Sequence, residues 1–130
     1  MRVLITEEMR DTSVYNVEAD TFGAHPKSGA EIVKLFTRLA EEKRSRLKTL
    51  SMIANEGVGF RNRRTEPARS IEAALRNHIT SEGRTISLYA DLLKLITKSE
   101  YKETIKAIIS TERGTVASLK ALQALVKQPV

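Results

Sequence analysis

A chain of 130 residues can form one domain with a real core and is too short for two comfortable ones. The absence of cysteine excludes a disulfide framework and thiolate chemistry, and an apolar share of 41% excludes wholesale disorder. A net charge of +6 points toward an acidic partner and says nothing about fold.

The charge is uneven along the chain. Residues 1–25 set Arg2 and Arg10 against Glu7, Glu8, Asp11, Glu18 and Asp20, a balance of −3 that leaves +9 for the rest. No stretch near the N-terminus has the apolar core of a signal peptide, and none reaches membrane-spanning length. The expectation is a soluble protein made in the cytoplasm. Few Asn and Gln, no Cys and many charges also suggest heat adaptation.

"DTSVYNVEADTFGAHP" mixes β-branched residues, turn formers, glycine and proline without a clear period. Residues 1–27 therefore read as an irregular acidic arm, with a short strand at Val3–Ile5. A basic helical bundle over 28–130 follows. Ser28 to Glu31 spells a capping box, predicting a helix to about Asn55 that "NEGVG" ends. Thr65, Glu66 and Pro67 can start a second helix running to about Ile96. Thr97 to Glu100 spells another capping box, opening a third helix that fades at "KQPV". The fold class is all-α, an antiparallel bundle of three long helices.

Each predicted helix carries an apolar stripe broken once by a charge. Phe36, Lys43 and Leu50 lie seven apart, as do Leu75, Glu82, Tyr89 and Ile96, and Ile105, Glu112, Leu119 and Val126. An unpaired buried charge is very costly, so Lys43, Glu82 and Glu112 should meet, with Thr115 beside them.

"KLFTRLAEEKRSRLKTL", "SEGRTISLYADLL" and "YKETIKAIISTERGTVASL" resemble three helices of the ferritin-like superfamily, especially rubrerythrin-type bundles. Glu8 to Tyr15 repeats the spacing of Glu82 to Tyr89, which hints at a degenerate first helix. That resemblance implies a di-iron site with two glutamates and two Glu-x-x-His motifs. This chain has Lys43 and Arg46 at one motif and Glu112 and Thr115 at the other. Two cations stand where ligands should be, so no metal, cofactor or catalytic residue is expected. His25 precedes a proline, and His78 lies at a stripe edge. Both read as loop or boundary residues.

"GVGFRNRRTEPARS" puts Arg61, Arg63, Arg64 and Arg69 into one loop beside Phe60. One reading is a solvated loop pairing with Glu56 and Glu66. The other is phosphate contact, because guanidinium forks match phosphate oxygens. Lys34, Arg38 and Lys48, opposite Phe36 on their helix, would extend that surface. An arm followed by a basic bundle is similar in organisation to coat proteins of filamentous archaeal viruses, a resemblance that implies a virion setting. The leading expectation is a non-enzymatic, self-assembling protein that coats double-stranded DNA through its backbone, oligomerising through the arm. A ferritin-like di-iron protein or its metal-free relative is the alternative, and a protein–protein adaptor bundle a third.

Overall fold

The computed structural model describes every residue except 56, 58, 129 and 130. It contains four helices: α1 (Arg2–Phe22), α2 (Gly29–Ala54), α3 (Ile71–Leu95) and α4 (Ser99–Val126). Consecutive helices form two hairpins, α1 with α2 and α3 with α4. The hairpins meet through α1 with α3 and through α2 with α4, so α1 and α4 lie diagonally opposed. Neighbours are antiparallel: Glu8 meets Lys43 and Tyr15 meets Phe36 between α1 and α2, while Tyr15 meets His78 and Tyr89 meets Glu8 between α1 and α3.

The expected arm and its strand are overturned. Residues 2–22 are helical and supply a quarter of the bundle. Their inward face, Leu4, Glu8, Asp11, Tyr15, Glu18 and Ala19, follows a helical spacing but is half acidic. Hydroxyls that disfavour a helix are absorbed locally. Thr12 donates to the Glu8 carbonyl at 2.7 Å and Ser13 to that of Met9 at 3.2 Å. Packing then outweighs weak propensity.

The start of α3 and the capping of α2 and α4 also differ. Neither expected capping box forms. Ser28 and Lys98 occupy the N-cap positions of α2 and α4 without a side-chain cap bond. The tight turn before α2 depends instead on Gly29, where a Cβ would stand 2.2 Å from the Gly23 carbonyl oxygen. The helix expected from Thr65 begins at Ile71, capped by Ser70, whose Oγ accepts from the Ala73 N–H at 3.1 Å. Length explains the delay. α2 has 26 residues, about 39 Å at 1.5 Å per residue, and the chain must travel back along it before α3 can start beside α1. Residues 55–64 alone reach at most about 33–36 Å. A longer connection is needed, and the described residues between Asn55 and Ser70 form no helix and make a strap. At its start Asn55 adopts φ 54°, and its N–H satisfies carbonyls of the last α2 turn.

The interior is layered along the bundle axis. One apolar cluster holds Phe36, Leu39, Leu75 and Leu119. The other holds Leu4, Leu50, Tyr89 and Ile105. Between them lies a polar belt.

Candidate functional site

The belt gathers Glu8 and Asp11 from α1, Lys43 and Arg46 from α2, Glu82 from α3 and Glu112 from α4, all buried. Lys43 is 1% exposed. Its Nζ donates to Glu8 Oε1 at 2.9 Å and lies 2.7 Å from Glu82 Oε1, 3.5 Å from Asp11 Oδ2 and 3.6 Å from Glu112 Oε1. Arg46 pairs closely with Glu112 and reaches Glu8 Oε2 at 3.4 Å. Two tyrosines close the belt reciprocally. The Tyr15 hydroxyl donates to Glu82 Oε2 at 3.1 Å, and the Tyr89 hydroxyl donates to Glu8 Oε2 at 3.0 Å. Each helix of the α1–α3 pair thus offers a glutamate to the other's tyrosine, seven residues from its own. Thr115 is buried nearby but donates to the Thr111 carbonyl of its own helix at 3.2 Å.

Four carboxyl groups face two cations, and the imbalance falls on Glu82. Burial pushes its carboxyl up to about 8; Lys43 opposes this, and Glu112 and Asp11 reinforce it. The closest cation does not prevail because four acids share it. Glu82 therefore keeps its proton to a higher pH than an ordinary carboxyl does. Burial alone would push the Lys43 ammonium down, yet Glu8, Glu82, Glu112 and Asp11 together hold it well above its ordinary value. Arg46 is likewise raised, its burial outweighed by Glu112 and Glu8. Both tyrosines are raised by burial and then by the neighbouring glutamate.

His78 is no boundary residue. It is buried, meets Glu18 through Nε2 and stacks on Tyr15 with ring centroids 4.0 Å apart. His25 stays in the α1–α2 turn, where Nδ1 accepts from the Ser28 N–H at 3.4 Å.

The strap carries the arginines, and α1 and α2 hold it in place. The Arg63 N–H donates to Ser13 Oγ at 2.9 Å, and the Ala68 N–H donates to Glu18 Oε2 at 3.0 Å. Both acceptors belong to buried α1 residues. Arg44 of α2 lies over the Phe60 ring, 4.8 Å from its centroid, so that face is already used. Arg61, Arg63, Arg64 and Arg69 are all exposed. Among the described residues none of them forms an ion pair, with Glu66 included; Glu56 lies outside those residues.

The other basic residues divide. Lys34 and Arg38 line the groove between α2 and α4, with Arg38 3.6 Å from Glu42. Lys48 is four residues beyond Arg44, on the strap's side of α2. The seven basic candidates therefore do not make one surface.

The sequence sets Tyr89 in a core stripe and Arg46 at a ligand position, but it leaves Asp11 and Tyr15 out of the cluster. Their roles become visible only once α1 is helical. Among the described residues no cluster of three or more His, Asp or Glu side chains is arranged to hold a metal ion, and no helix is long and apolar enough to cross a membrane. No family model matches the chain, and no curated protein or solved structure matches it either.

Proposed function

We propose that this protein is a non-enzymatic bundle that binds the phosphate backbone of double-stranded nucleic acid through its arginine strap, without reading bases. One observation carries this reading. The strap backbone is anchored on buried α1 side chains, while four guanidinium groups stay exposed and without ionic partners among the described residues. Side chains presented from a fixed backbone lose less freedom on binding than those of a loose loop. The charge distribution favours the same conclusion. Counted as formal charges, buried Glu8, Asp11, Glu18, Glu82 and Glu112 outnumber buried Lys43 and Arg46 by three, so the rest of the chain carries a formal +9 although the total is +6. The acids of the N-terminal segment mostly face inward, where they do not repel a polyanion. The same fact removes the expected assembly device, because α1 is committed to its own core.

Replacing Arg61, Arg63, Arg64 and Arg69 by glutamine tests the reading. Duplex affinity should fall and the slope of log affinity against log salt should flatten by about two to four units, at about 0.9 per phosphate. Unchanged affinity and slope would return the strap to an ordinary solvated loop.

The reciprocal tyrosine–glutamate contacts, at mid-bundle beside one long crossover, favour a second reading about descent: a ferritin-like relative. The residues present do not fit the di-iron group that such a relative implies. Lys43 and Arg46 are cations with no free lone pair, and they fill the space between the carboxylates. The ammonium supplies the positive charge that a metal would otherwise bring.

A further inference from the structure

Two of the strap arginines share a cleft with a third from another element. Arg61 and Arg63 line a cleft of about 350 Å3 together with Arg2, at the start of α1. Thr6 adds a hydroxyl to its wall, and Ile5 and Met9 make part of it apolar. Arg63 is fixed on that wall: its N–H is held by Ser13, and its Nη2 lies 4.0 Å from Met9 Sδ. All three arginines are exposed, and none forms an ion pair among the described residues. Arg64 and Arg69 are not part of this cleft. Three like charges lining one concave space beside apolar side chains raise the local positive potential, which an anion would relieve. Phosphate suits the arrangement, since guanidinium groups donate to its oxygens in pairs.

We propose that this cleft is a subsite for a single phosphate group, held jointly by Arg2, Arg61 and Arg63. The inference rests on the phosphate-binding reading of the strap and adds Arg2 to it, a residue that the loop sequence does not suggest. A nucleic-acid backbone or a free phosphomonoester could supply the group, because both present the same oxygens.

Counterion release tests it. Each phosphate neutralised contributes about 0.9 to the salt slope on duplex DNA, however many arginines hold it. The triple variant Arg2→Gln, Arg61→Gln, Arg63→Gln should lose roughly tenfold or more in duplex affinity. Its salt slope should nevertheless flatten by only about one unit. Arg64→Gln with Arg69→Gln should flatten it by up to about two. Flattening near three units in the triple variant would mean separate phosphates and would overturn the shared subsite, leaving the strap reading in place. Unchanged duplex binding in the triple variant would overturn it as well. If the parent binds no duplex, the strap reading fails, and inorganic phosphate and adenosine monophosphate decide the subsite alone. Saturable shifts of the Thr6 and Arg63 amide resonances, lost in the triple variant, would sustain it for a phosphomonoester; no shifts would overturn it. Circular dichroism checks that the triple variant stays helical. Should it not, Arg61→Gln alone replaces it, with a smaller loss of affinity expected and no loss counting against the subsite.

Discussion

An ammonium group 1% exposed needs more than one partner, and Lys43 has four carboxyl groups within 3.6 Å. Replacing Lys43 by methionine keeps most of the volume and removes the charge. Glu8, Asp11 and Glu112 would then share Arg46 alone. Breaking a buried pair from one side costs about 3–5 kcal/mol, a large part of a typical total of about 5–15. Adding Glu8→Gln should recover part of the loss, because Glu8 is the direct acceptor from Lys43. Urea denaturation of the double-mutant cycle measures the coupling, and strict additivity would show that the two side chains do not interact. Glu82 makes a separate prediction about pH. Its carboxyl is raised from 4.5 to about 8, so the folded state holds a proton that the unfolded chain releases. That stabilisation is complete below 4.5 and is lost as pH rises through about 8. The slope from this one group is at most about 1.4 kcal/mol per pH unit. Glu82→Gln should therefore be less sensitive to pH than the parent between pH 5 and 8. Parallel urea midpoints for the two proteins across that range would rule the proton out.

At the scale of elements, α2, α3 and α4 are legible because most of their inward positions are apolar and fall at helical spacing. α1 is not, because Glu8, Asp11 and Glu18 occupy inward positions and hydrophobic pattern cannot distinguish them from surface acids. Lys43, Glu82 and Glu112 can be picked out because each interrupts an apolar stripe. Asp11 and Arg46 interrupt nothing. The strap is concealed for another reason: Thr-Glu-Pro is good helix-starting chemistry, and only the distance back along α2 prevents its use. The strap also yields a prediction. Ser13→Ala leaves the Arg63 N–H without its acceptor, at a cost of about 1–3 kcal/mol if that amide stays buried. The strap has the cheaper option of lifting into water. Hydrogen exchange at the Arg63 amide should accelerate while the α1 amides stay protected. Equal acceleration across α1 would mean that Ser13 serves the helix rather than the strap.

At the scale of the whole molecule, charge is segregated by depth rather than along the chain. The −3 of residues 1–25 suggests an acidic surface, but Glu8 and Asp11 are internal beside Lys43, and Glu18 is internal against His78. What faces outward is predominantly basic, the exposed strap arginines included. The central claim is that this exterior grips phosphate backbones without reading sequence. Duplex affinity of the unaltered chain, measured against salt concentration on two unrelated sequences, tests it most directly. The account predicts steep slopes, about −3 or steeper, that match between the two duplexes along with the affinities. A slope near zero, or strong binding to only one of the sequences, would contradict it.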